Sequence, residues 1–142
     1  MINTTKAGLT RRAALLLLLL TALPAIAQGP FLSRQTATIA SGASLTPSIN
    51  LQDYPIVAIQ MPASWTTAKL SVQGSHDGTT FFDVYNAYGD EYLIEAAASR
   101  YIVLSPNEFQ WARYIKLRSG TTGTPVNQGA DRTLAIVTRR VL

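Results

Sequence analysis

From Gln35 to Val141 the chain sustains no helical repeat; short apolar runs alternate with polar residues and are closed by turn formers. Lys69 to Gln73 shows the pattern most cleanly: Leu70 and Val72 fall on one side, Lys69, Ser71 and Gln73 on the other. Successive side chains of a strand point to opposite faces, so this alternation predicts a half-buried strand. Arg113 to Arg118 repeats it, with Ile115 and Leu117 inward. Ile56 to Met61 places Val57, Ile59 and Met61 on one face with Gln60 opposite, and Pro62 ends the run. Gln35–Ala40, Phe81–Tyr85, Tyr92–Glu95 and Arg132–Val141 read as further strands. The unbroken apolar run Tyr101–Leu104 predicts a strand covered on both faces. Ser41-Gly42, His76-Asp77-Gly78 and Tyr88-Gly89-Asp90 supply turns. About eight short strands at this spacing predict an all-β fold, an antiparallel β-sandwich of jelly-roll type over 33–142.

One segment departs from this pattern. Ser105-Pro106-Asn107-Glu108 carries a helix-start signature: Ser as N-cap, Pro at the first position, Glu at the third. It predicts a single helical turn on the edge of the sandwich, with Trp111 behind it in the core.

Such a fold must be held by burial and strand pairing alone, because the chain has no cysteine. Apolar residues make up 47% and charged residues 14%, enough for a core and too little charge for disorder. Residues 1–27 have a different character. Lys6, Arg11 and Arg12 precede an apolar run from Ala13 to Leu23, and Ala25-Ile26-Ala27 follows Pro24. This is the layout of a secretory signal peptide, with a retained anchor or a buried helix as the alternatives, and a linker at 28–32. The run is shorter than the roughly 18–20 residues needed to span a bilayer, so no stable membrane span is expected once the leader is removed. The net charge of +4 owes three basic residues to the leader; beyond Ala27 stand nine basic and eight acidic residues. That balance gives no support to nucleic acid as a partner.

The residues able to carry chemistry are few. His76 is the one histidine of the chain, and Ser75-His76-Asp77 contains the residue types of a hydrolase triad. Consecutive positions cannot set the three side chains in nucleophile–base–orienter order, and no Gly-x-Ser-x-Gly elbow is present. The expected role of Asp77 is to cap backbone N–H groups in an exposed turn. Asp77, Asp83, Asp90 and Glu91 lack calcium-loop spacing, and Gly120-Thr121-Thr122-Gly123-Thr124 lacks the lysine of a phosphate-binding loop. The reading is therefore of a protein that is not an enzyme, with no catalytic residue, metal or cofactor. Trp65, His76, Tyr85 and Tyr88 are the candidate ligand-binding residues, since exposed rings offer large apolar faces at low entropic cost. The competing role for Trp65 is to plug one end of the sandwich. Recognition is expected on loops at one end: Pro62–Thr67, Gly74–Thr80 and Asn86–Glu91, with Gly120–Ala130 as a further candidate.

Two resemblances bear on this. Leu70-Ser71-Val72-Gln73-Gly74-Ser75-His76-Asp77-Gly78-Thr79-Thr80-Phe81 resembles the strand–turn–strand hairpin of galactose-binding-like, discoidin-type β-sandwiches, and Ala112-Arg113-Tyr114-Ile115-Lys116-Leu117 resembles their penultimate strand. The resemblance spans roughly Ile56 to Val141 and implies the fold without any catalytic residue. The succession Met61-Pro62-Ala63-Ser64-Trp65, Ser75-His76-Asp77-Gly78, Ala98-Ser99-Arg100-Tyr101-Ile102-Val103-Leu104, Lys116-Leu117-Arg118-Ser119-Gly120-Thr121 and Pro125-Val126-Asn127-Gln128 is similar to small accessory proteins encoded among tailed-phage structural genes. It implies a virion decoration, head-associated or tail-associated component with a protein partner and a possible homo-oligomeric state. The alternative is a secreted or periplasmic carbohydrate-binding module whose partner is a glycan.

Overall fold

A computed structural model describes residues 32–140. The leader and residues 28–31 of the linker lie outside the described residues. Nine strands are present among those described: β1 (Leu32–Ile39), β2 (Ile49–Asn50), β3 (Ile56–Gln60), β4 (Leu70–Ser75), β5 (Phe82–Asp83), β6 (Leu93–Ile94), β7 (Tyr101–Val103), β8 (Tyr114–Ser119) and β9 (Arg132–Arg139). One 3₁₀ turn, η1, covers Pro106–Phe109.

All pairings are antiparallel. One sheet runs β1-β9-β3-β7 and the other β2-β8-β4-β5, with β6 also paired to β4. If β6 is set aside as the return of a hairpin from β5, the chain crosses between sheets in jelly-roll order: first, last, third and sixth strands face second, seventh, fourth and fifth. The expected β-sandwich is thus the observed one.

The inward rows meet as the alternation requires. Ile39, Ile56, Ile59, Leu134 and Ile136 of the first sheet pack in one cluster with Leu70, Val72, Ile115 and Leu117 of the second, all without solvent exposure. Each such side chain contributes about 1.5–3 kcal/mol over an exposed one, which replaces the staple that cysteines would give.

Three expectations need correction here. Val57 does not share a face with Ile59. Ile56 pairs with Thr138 and Ala58 with Val137, so Val57 is the extra residue of a β-bulge. The bulge resets the alternation: Ile56 and Ile59 both reach the core, and Val57 borders an outer groove beside Leu32 and Val103. Tyr101–Val103 is not covered on both faces. It is the edge strand of its sheet, and Val103 is 77% exposed. The third correction is Trp111, which stands 41% exposed outside the core cluster. The helical turn forms where Ser105 and Pro106 predict it, but the Ser105 side chain makes no capping bond. Glu108 instead accepts a hydrogen bond from the Tyr92 hydroxyl at 2.7 Å.

Candidate functional site

The site grows from a missing side chain. Leu70, Val72 and Gly74 follow one another along the same face of β4, and Gly74 lies directly between buried Ile115 of β8 and Phe82 of β5. At Gly74 this core-facing row has no side chain. The Trp111 indole occupies the space: a Cβ on Gly74 would come within 2.7 Å of its Cη2. A glycine inside a strand often marks such a close approach. The indole N–H donates to the Glu108 carbonyl at 2.6 Å, and the ring stacks on Phe109, which is buried under η1. Trp111 is therefore fixed from below by Gly74 and from the side by η1, with part of its ring left in water.

Around this ring lies a groove of about 540 Å³, bordered by Phe82, Tyr85, His76, Asp77 and Thr80. Phe82 is 71% exposed and Tyr85 51%. The turn between β4 and β5 forms the polar rim. Asp77 Oδ1 accepts hydrogen bonds from the backbone N–H of Thr79, the backbone N–H of Thr80 and the Ser75 hydroxyl, each at 2.8 Å. Those donors, Thr80 first, hold its carboxyl well below the usual carboxylate range. Ser75 Oγ in turn accepts the Gly78 N–H at 2.9 Å. Gly78 sits at φ +75° with the Tyr114 ring against it, a position where any side chain would be strained. Asp77 does cap the turn as its sequence predicts. The Ser75 hydroxyl proton goes to Asp77 and not to His76.

Next to the groove stands a braced hairpin, closed by the Tyr85–Glu91 bridge. Asn86 Oδ1 accepts the N–H of Tyr88 and of Asp90, both at 2.9 Å. Glu91 Oε1 accepts the N–H and the hydroxyl of Thr122, both at 2.7 Å. Beneath it, Arg118 pairs with Asp83 at 2.7 Å, and Gln73 donates to the same Asp83 oxygen at 3.0 Å. Burial pushes the Asp83 carboxyl up, but the Arg118 and Gln73 bonds outweigh it, and the net shift is downward. Tyr88 rides the hairpin tip at 93% exposure. No group of three or more ligating side chains suited to a metal occurs among the described residues.

Of the four candidates, His76 and Tyr85 come together at the groove, while Tyr88 projects from the neighbouring hairpin without lining it. Trp65 lies elsewhere. It precedes the Leu70 end of β4, whereas His76 follows the Ser75 end, ~17 Å away along the strand. Half-buried against the core, Trp65 donates its N–H to the Ala68 carbonyl at 2.9 Å. Its loop is tied to Gln128, which has no solvent exposure. Gln128 accepts the Thr66 N–H at 2.9 Å and donates to the Ser119 hydroxyl at 2.6 Å. The Pro62–Thr67 and Gly74–Thr80 loops therefore do not share one end. Sequence reasoning missed Trp111 and Phe82 as groove walls; Gly74 inside an alternating strand was the available signal.

No helix among the described residues is long and apolar enough to cross a membrane. No protein family, curated protein or solved structure matches this chain, so neither resemblance gains support from comparison.

Proposed function

We propose that this protein is a non-catalytic β-sandwich module that works by contact, as an accessory component of a phage virion associated with head or tail. The observation that carries the contact reading is the concentration of Phe82, Tyr85, Tyr88 and Trp111 on one flank, all substantially exposed and set on braced backbone. Large rings held in place before binding lose little entropy on contact, which is how a small surface gains affinity. The non-catalytic reading is supported by the Ser75 hydroxyl, which donates to Asp77 rather than to His76. The virion setting rests on the sequence resemblance to phage accessory proteins. A secreted or periplasmic carbohydrate-binding module is the second reading, favoured by the aromatic groove with its polar rim.

Mass spectrometry of purified particles tests the setting. The chain is expected in every particle preparation, at a copy number fixed relative to the capsid protein. Its absence from particles, with recovery from the periplasm or medium, would replace the virion reading by the second one. An intact Met1 in the particle-borne chain would rule out cleavage after Ala27.

A further inference from the structure

Resting on the contact reading above, we infer that the groove over Trp111 takes a neutral saccharide, a hexose or N-acetylhexosamine unit of a larger glycan. The walls and rim fit that chemistry in three respects. First, one wall is a fixed flat ring. Trp111 is held by the Glu108 carbonyl and by the gap at Gly74, so it offers its free part without first having to order itself. The C–H face of a pyranose is apolar and nearly flat, and it packs on such a ring.

Second, the rings do not close on one another. Trp111 stacks only on Phe109 of η1 at its side, while Phe82 and Tyr85 stand apart across an open groove. An open, ring-walled groove suits a flat sugar with solvent on one side. A cation would be better served by rings that enclose it.

Third, the rim is rich in oxygen and carries a fixed negative charge. Asp77 is acceptor-only, and its Oδ2 receives none of the three bonds that hold the turn, all of which end on Oδ1. Sugar hydroxyls are donors that such an oxygen accepts. The exposed Thr80 hydroxyl and His76 imidazole extend the polar edge. The same carboxylate disfavours phosphate, sulfate or sialic acid at this place.

The chain has two tryptophans, so the full-length Trp65→Phe variant carries Trp111 as its sole indole. A glycan array chooses the neutral and acidic oligosaccharides to use, and Trp111 emission follows their titration in solution. The wild-type chain is titrated in parallel by calorimetry, in case the Phe substitution disturbs folding. The expected result is saturable binding of at least one neutral oligosaccharide. Trp111→Ala and Asp77→Asn should weaken it roughly tenfold or more, and Tyr101→Ala, on the far sheet edge, should leave it unchanged. Binding of acidic glycans alone, of lysine-rich peptides alone, or of nothing overturns the inference. If sugars fail while Trp111→Ala and Tyr85→Ala still detach the chain from particles, the ligand class falls and the contact reading stands. If those variants also stay attached, the contact reading falls with it.

Discussion

Asp77 shows how one side chain organises the rim. Its Oδ1 collects three donors from residues 75 to 80, and these favour the ionised form in the folded protein. A carboxyl whose folded pKa lies below its unfolded value adds stability that is fully present above the unfolded value, about 3.9, and is lost as pH falls toward the folded one. Asp83, lowered on balance by Arg118 and Gln73, acts in the same direction. Asp77→Asn can keep part of the turn but cannot titrate. The stability gap between wild type and Asp77→Asn should therefore be constant near neutrality and shrink below about pH 4. Urea denaturation from pH 7 down to 2.5 measures it. A gap that stays constant to the lowest pH would mean that the turn does not hold an ionised carboxylate.

At the level of elements, loops are fixed to the sheets by single polar side chains. Gln128 is fully buried and joins the Trp65 loop to Ser119 at the end of β8. Gln128→Ala leaves the Thr66 N–H and the Ser119 hydroxyl without their partner, and should cost about 1–3 kcal/mol in denaturant unfolding. Arg118 does the corresponding work under the Tyr85–Glu91 hairpin through Asp83 and Thr122. In Arg118→Ala the amides of residues 86–91 should exchange faster, while those of β9 keep their protection. Uniform loss of protection would instead make Arg118 a support of the whole sandwich.

For the whole molecule, alternation made the sandwich legible. Leu70, Val72, Ile115 and Leu117 sit where a two-residue period puts them, and the core forms between the two sheets they define. The β3 bulge was not legible, because one inserted residue carries no mark in the sequence; it moved Val57 out and brought Ile56 in. Edge position was equally hidden. Tyr101–Val103 reads like an interior strand, and only the sheet order exposes it. The site was half legible. The Asp77 turn and Tyr85 follow from local chemistry. Trp111 depends on Gly74, a contact between the end of β4 and the turn after η1 that local sequence does not encode.

The seat of Trp111 on Gly74 is what creates the groove, so single-indole fluorescence tests the account most directly. In Trp65→Phe, emission should be red-shifted and readily quenched by acrylamide. In Trp111→Phe, the remaining Trp65 should be bluer and better protected, and adding Gly74→Ala to Trp65→Phe should move the Trp111 signal further toward water. Blue, quench-resistant emission from Trp111, indifferent to Gly74→Ala, would place that ring in the core and leave no groove.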